Sequence, residues 1–150
     1  MKALKITLIG LSILILLSFG KDNKRKENLG IQFFQGTFED AKQLAKKENK
    51  LIFMDAYASW CGPCKLMTRK TFTREEVGLF FNKNFINLKI DMEKGEGPQL
   101  ARKFGVRAYP TLIFINSRAE EVAKTVGYHP KTALLEVGKQ VVSLYESQKK

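Results

Sequence analysis

Two cysteines stand two residues apart in the run Trp60-Cys61-Gly62-Pro63-Cys64-Lys65, and the chain has no others. At that spacing a first helical turn brings the two sulfurs within reach, so the pair can cycle between dithiol and disulfide. The run Leu51 to Tyr57 ahead of them is almost continuously apolar, as in a strand buried on both faces. A helical stretch follows from Cys64 to about Lys70. The strand thus delivers Cys61 to a helix N-terminus, where free backbone N–H groups and the helix dipole stabilise a thiolate. Cys64, one turn in, is expected to be more shielded. The asymmetry assigns Cys61 as the attacking sulfur and Cys64 as the resolving one. Half a zinc site or a structural disulfide would use the same spacing. A zinc site needs four ligands, however, and His129 is the single histidine.

Asp55 interrupts the apolar run six residues before Cys61. An ionised carboxylate in a strand buried on both faces is costly, so its pKa is expected to be raised. Such a group can take a proton from Cys64 and return it during exchange. The alternative is an exposed aspartate on an edge strand. Lys89 and Asn87, on the polar face of the strand Phe85 to Asp91, are the two candidate neighbours.

The surrounding elements alternate. Ile31 to Phe34 is a short strand-type run, and Thr37-Phe38-Glu39-Asp40 is a capping signature for a helix presenting Phe38, Ala41, Leu44 and Ala45. Thr73-Arg74-Glu75-Glu76 resembles a second capping box, before Val77, Phe80 and Phe81. In Phe85 to Asp91, Ile86, Leu88 and Ile90 share one face. Gly97-Pro98 opens a short helix that Gly105 closes. Leu112 to Ile115 and Val122 to Val126 form a hairpin around Asn116-Ser117-Arg118. After Pro130, Leu134, Val137, Val141 and Leu144 recur at helical spacing on an expected buried face. The expected order is β-α-β-α-α-β-α-β-β-α. It needs parallel crossovers early and antiparallel pairing late, hence an α/β fold with a mixed central sheet flanked by helices on both faces.

The 150 residues are 44% hydrophobic and 27% charged, an ordinary composition for one globular domain and far from disorder. Met1 to Gly20 has a basic start and an apolar run, which points to a signal peptide or, as the rival reading, an N-terminal membrane anchor. No cysteine follows it for lipid attachment. Residues 21–30 are expected to be a polar linker and residues 31–150 the domain. The net charge of +11 is spread along the chain without a nucleic-acid motif. It is taken as a solvated basic surface, with no nucleic-acid partner expected.

At these residues the chain resembles the thioredoxin family, from about Ile31 to Tyr145. Trp60-Cys61-Gly62-Pro63-Cys64-Lys65 is that family's active-site motif in full, and Asp55 stands in the place of its buried aspartate. Tyr109-Pro110-Thr111 looks like the segment with the family's cis-proline, and Val126-Gly127-Tyr128 like its glycine loop. The resemblance implies a thioredoxin-like fold and a redox-active Cys61–Cys64 disulfide, with no cofactor or metal. It also implies substrate contacts at Trp60, Gly62, Pro63, Tyr109, Pro110 and Gly127. Tyr57 stands where many members have Trp, and Asn87 where many have a lysine near the aspartate. Phe72 to Val77 and the loop Glu93 to Gly97 look more like exported relatives, including the reducing domains of periplasmic thiol–disulfide interchange systems.

The expected function is therefore a monomeric thiol–disulfide oxidoreductase of the periplasm or cell envelope. It reduces disulfides of substrate proteins and draws electrons from a membrane donor of the thiol–disulfide interchange type. An oxidase or isomerase on the same fold is the alternative direction. A redox-independent protein-binding module and a basic protein binding anionic lipid are the alternatives from other classes. His129 is expected to be a loop residue near the groove, and Phe80, Phe81, Met54 and Met67 to be core.

Overall fold

The computed structural model describes residues 29–147. The leader and residues 21–28 of the linker lie outside the described residues. The elements are α1 (Phe38–Glu48), β1 (Leu51–Tyr57), α2 (Gly62–Lys70), α3 (Glu75–Asn84), β2 (Phe85–Asp91), α4 (Gly97–Lys103), β3 (Thr111–Ile115), β4 (Glu121–Val126) and α5 (Lys131–Ser147). The strands form one sheet in the order β2-β1-β3-β4. β1 runs parallel to β2 and antiparallel to β3, and β3 antiparallel to β4. This is the mixed sheet that the element order requires.

The period of two along each strand divides the core into two layers. On one face Ile52, Met54 and Ala56 join Ile86, Leu88, Ile90, Ile113 and Ile115 beneath Phe38, Ala41 and Ala45 of α1 and Leu100 of α4. On the other, Leu51, Phe53, Phe85, Leu112 and Phe114 meet Met67 of α2, Val77 and Phe81 of α3, and Leu134 and Val141 of α5. Phe53, Phe81, Phe85 and Phe114 form one ring cluster in this second layer, with the Phe53 centroid 4.8 Å from Phe81 and 5.3 Å from Phe114. Burying a side chain of that size contributes roughly 1.5–3 kcal/mol.

The capping box of α1 closes as its sequence signature predicts. The Asp40 N–H donates to Thr37 Oγ1 at 3.1 Å, and the Thr37 N–H donates back to the Asp40 carboxylate at 3.0 Å. The hairpin also forms at the expected turn, where Asn116 Oδ1 accepts the N–H groups of Arg118 and Glu120.

Four local expectations are corrected. Ile31 to Phe34 is not a strand. Its N–H groups turn to unrelated acceptors, Ile31 to the Phe72 carbonyl, Gln32 to Asn82 Oδ1 and Phe34 to the Asn87 carbonyl, so no ladder can form. Thr73 does not cap α3: its hydroxyl donates backwards to the Arg69 carbonyl at 2.9 Å, and Arg74 occupies the N-cap without a side-chain bond. α2 begins at Gly62 rather than Cys64, which places Pro63 in its first turn. In α5, Leu144 is 46% exposed, while the inward side carries Leu134, Gly138 and Val141. Gly138 lets α5 approach α3 closely, since a Cβ there would sit 2.9 Å from the Phe80 ring. That approach fixes the rotation of the helix and carries Leu144 outward.

Candidate active site

β1 ends at Tyr57, and a tight turn in which the Cys61 N–H donates to the Ala58 carbonyl at 3.0 Å leads into α2. Cys61 is the N-cap of α2, and its Sγ accepts the Cys64 N–H at 3.1 Å. The sulfur thus replaces the side-chain oxygen that usually satisfies an orphan amide at a helix start. The same N–H would stabilise a Cys61 thiolate after reduction. The two sulfurs are joined as a disulfide, with Cα atoms 5.3 Å apart. The expected difference in shielding is absent in this oxidised form, where Cys61 and Cys64 are each 2% exposed. The bond holds both sulfurs in one small cluster with Ala58, Tyr57 and Tyr109. What distinguishes the sulfurs is their surroundings: Cys61 faces the helix-end amide, whereas Cys64 lines a cavity with Tyr57 and Lys89.

Asp55 is completely buried, so it is not an edge-strand residue exposed to water. Burial pushes its carboxyl above the usual carboxylate range, and the Lys89 ammonium beside it opposes that rise. Lys89 Nζ donates to one carboxylate oxygen of Asp55, and the other oxygen has no hydrogen-bond partner. Lys89 itself reaches the surface between aromatic rings, with the Tyr57 centroid at 4.3 Å, Phe72 at 5.4 Å and Phe33 at 5.8 Å. Those rings fix the ammonium and partly replace its water. The lysine near the aspartate is therefore present at Lys89, and its apparent replacement by Asn87 is corrected. Asn87 lies opposite Phe53 and donates to Asn82 Oδ1 at 3.1 Å.

The remaining site residues form a connected surface. The Tyr109-Pro110 peptide bond is cis. The Pro110 carbonyl accepts the Gly127 N–H at 2.8 Å, and Gly127 has φ 96°, a left-handed conformation that favours glycine. Trp60 is 66% exposed and meets Tyr109 edge-on at 5.9 Å between centroids. Val126 and Tyr128, on either side of Gly127, are also exposed. Gly62 and Pro63 lie open to solvent between the cysteines. Trp60, Tyr109, Pro110 and Gly127 are thus linked by contact, with Tyr109 against the cysteine cluster. His129 is a loop residue whose ring bonds the Gly127 carbonyl and the Thr125 hydroxyl, so it buttresses the glycine turn.

Sequence reasoning missed Glu93. Its carboxylate accepts the Trp60 indole N–H, at 3.0 Å to each oxygen. An acid two residues beyond the end of β2 gives no sign in sequence that it bends back to a tryptophan 33 positions earlier. Among the described residues no group of three or more His, Cys, Asp or Glu side chains is placed to hold a metal ion.

The thiol–disulfide geometry has counterparts in known proteins. Residues 38–142 match the model of the thioredoxin-like domain. A thioredoxin of Staphylococcus aureus is 36% identical over 98 residues, covering 65% of this chain and 88% of its own. The solution structure of a candidate disulphide-isomerase from Bacteroides thetaiotaomicron is 47% identical and superposes with a TM-score of 0.68, covering 75% of this chain and 93% of its own. The C-terminal domain of DsbD from Neisseria meningitidis, 24% identical with a TM-score of 0.60 over 73% of this chain and 98% of its own, shares the fold. With a cysteine pair capping α2 and a buried aspartate behind it, the chain belongs to the thioredoxin-like family of thiol–disulfide oxidoreductases.

Proposed function

We propose that the protein is an exported reductase of protein disulfides, acting in the periplasm or cell envelope. The observation that carries the exchange chemistry is Cys61 at the N-cap of α2 with its Sγ accepting the Cys64 N–H. In the reduced protein the Cys61 thiolate attacks one sulfur of a substrate disulfide. That bond breaks, a mixed disulfide forms, and the departing substrate sulfur takes up a proton. The Cys64 thiol then gives its proton to the Asp55 carboxylate and attacks Cys61 Sγ. The second substrate sulfur leaves, and the Cys61–Cys64 disulfide remains. Two electrons have passed to the substrate, and a dithiol donor must restore them. The groove between exposed Trp60 and half-buried Tyr109 and Gly127, floored by buried Pro110 and with exposed Gly62 and Pro63 beside it, is the place for an extended substrate segment.

The Gly62-Pro63 pair between the cysteines resembles reducing thioredoxins and supports the reductase direction. The apolar leader Met1 to Gly20 supports export, and with export a membrane donor of the thiol–disulfide interchange type. The second reading is isomerase or oxidase, favoured by the 47% identity to the candidate disulphide-isomerase. Insulin reduction driven by dithiothreitol, together with the midpoint potential of the cysteine pair, tests the proposal. A potential near about −270 mV is expected of a reductase, and one above about −200 mV would replace it with the second reading.

A further inference from the structure

The substrate-facing surface lies at the Trp60 and Tyr109 side of the cysteine pair. A separate cavity of about 270 Å³ opens beside Cys64, and neither Trp60, Tyr109, Pro110 nor Gly127 lines it. Its apolar wall is built from Tyr57, Ala58 and Thr68, and its charged groups are Lys65, Arg69 and Lys89. No acid lines it among the described residues. Lys89 is bound to Asp55 at the inner end. Lys65 and Arg69 are four residues apart on α2, so they project from one helix face. Neither has an ion-pair partner among the described residues.

On the Trp60 side stand Glu93, bonded to the Trp60 indole, and Asp91, which is paired with Lys94 at 3.4 Å; both acids push the Tyr109 hydroxyl upward after burial has done so. The two flanks of the cysteine pair therefore differ: one carries Glu93 and the Asp91–Lys94 pair, the other Lys65 and Arg69 without an acid. A partner reaching across both flanks meets a field with direction as well as sign.

We propose that the cavity beside Cys64 is a subsite for an acidic side chain of the partner protein. A Glu or Asp near the partner's cysteine enters it and is held by Lys65 and Arg69, while the partner's disulfide lies at Cys61. The Arg69 guanidinium offers a planar fork that matches a carboxylate, and Lys65 adds a second charge four residues away. The volume argues for one or two side chains of a larger partner, because independent small-molecule sites begin at about 300 Å³ and enclose their ligand. The inference rests on the thiol-exchange function proposed above and adds a preference among its substrates.

Two disulfide-linked peptides test it, identical except that one carries Glu-Glu and the other Gln-Gln beside the cysteine. The reduced full-length protein is mixed with each, and the second-order rate constants are compared. About a tenfold preference for the Glu-Glu peptide is expected at low ionic strength, shrinking as salt is raised. In the Lys65→Gln/Arg69→Gln variant the ratio of the two rates should approach one. A comparison variant, Lys46→Gln/Lys47→Gln in the last turn of α1, removes the same charge elsewhere and should keep the preference. Equal rates in the unaltered protein would overturn the subsite. So would equal loss of preference in both double variants, since only the overall charge would then be at work. Reduction of neither peptide would overturn the thiol-exchange function together with the subsite, whereas equal reduction of both removes the subsite alone.

Discussion

Lys89 stands directly opposite Asp55 across the parallel β1–β2 ladder and donates to one oxygen of its carboxylate. Each is the fifth residue of its strand, and the two strands pair from their first residues, Leu51 with Phe85. Asp55 is wholly buried, whereas the Lys89 side chain keeps about a fifth of its surface in water. The pair therefore leads from the closed interior to the wall of the cavity that Cys64 lines. Both its energetics and its chemistry follow from that position.

The energetic consequence concerns pH. Burial raises the Asp55 carboxyl above its ordinary value, so the folded protein holds that proton more tightly than the unfolded chain does. The stability this contributes is fully present below the ordinary carboxylate range. It is lost as pH rises through the raised value, where a charge must be kept in the core. Asp55→Asn carries no charge at any pH, and Lys89 can turn to water. Near pH 8 the variant is expected to be about 1–3 kcal/mol more stable, with the gap closing towards about pH 4. Urea unfolding across that range measures it. A gap independent of pH would mean that the asparagine acts through packing alone.

The chemical consequence is the opposite in sign. The resolving step needs a proton removed from Cys64, and Asp55 can accept it only when ionised. The rate of that step should therefore rise with pH through the raised Asp55 value. In Asp55→Asn the step should be roughly tenfold to a hundredfold slower near neutrality, with the first attack by Cys61 little changed. Trp60, the single tryptophan, lies near the cysteines and allows stopped-flow fluorescence to follow both steps. An unchanged rate from about pH 6 to about pH 9 would take Asp55 out of the mechanism.

Much of the site was legible in the sequence because its signals are local. The spacing of Cys61 and Cys64, the carboxylate inside an apolar strand and the glycine after β4 each lie within a few residues. The partners were harder. Choosing Lys89 over Asn87 requires the register of β1 on β2, and both residues sit on the same polar face of their strand. Counting from the start of each strand would have found it. The failure at Ile31 to Phe34 has another cause. Strand-type residues do not make a strand when their amides are taken by Phe72, Asn82 and Asn87 in turn. Glu93 was invisible because a loop brings it to Trp60. The burial of Leu144 was misjudged because α5 is rotated by its close contact at Gly138.

Glycine also fixes how the chain enters the domain. Gly78 of α3 packs on the backbone of Leu29 and Gly30, and a Cβ at position 78 would lie 2.0 Å from the Leu29 carbonyl oxygen. The atoms in the way are backbone, so no side-chain rotation relieves the clash. Gly78→Ala gains helix propensity of about 1 kcal/mol, yet it should still destabilise by about 1–3 kcal/mol net. Urea midpoints of the two proteins decide it. A variant as stable as the parent would mean that the segment at Leu29 and Gly30 yields freely.

The roles of the two sulfurs can be separated by trapping. If Cys61 attacks and Cys64 resolves, Cys64→Ser keeps a sulfur at the N-cap of α2 and removes the group that releases the substrate. The serine backbone still offers its N–H to Cys61 Sγ, so the attacking thiolate keeps its stabilising partner. The mixed disulfide should then accumulate, visible on a non-reducing gel and lost with dithiothreitol. Cys61→Ser leaves only Cys64, whose sulfur receives no helix-end amide and lies towards the cavity, away from the Trp60–Tyr109 groove. Its yield of complex should be lower by about tenfold or more, following the smaller thiolate fraction and poorer access. Because both sulfurs are equally buried in the disulfide, the difference must come from the helix terminus and from local opening after reduction. Equal trapping by the two variants would show that the helix end does not select the nucleophile, and the assignment of Cys61 would fall.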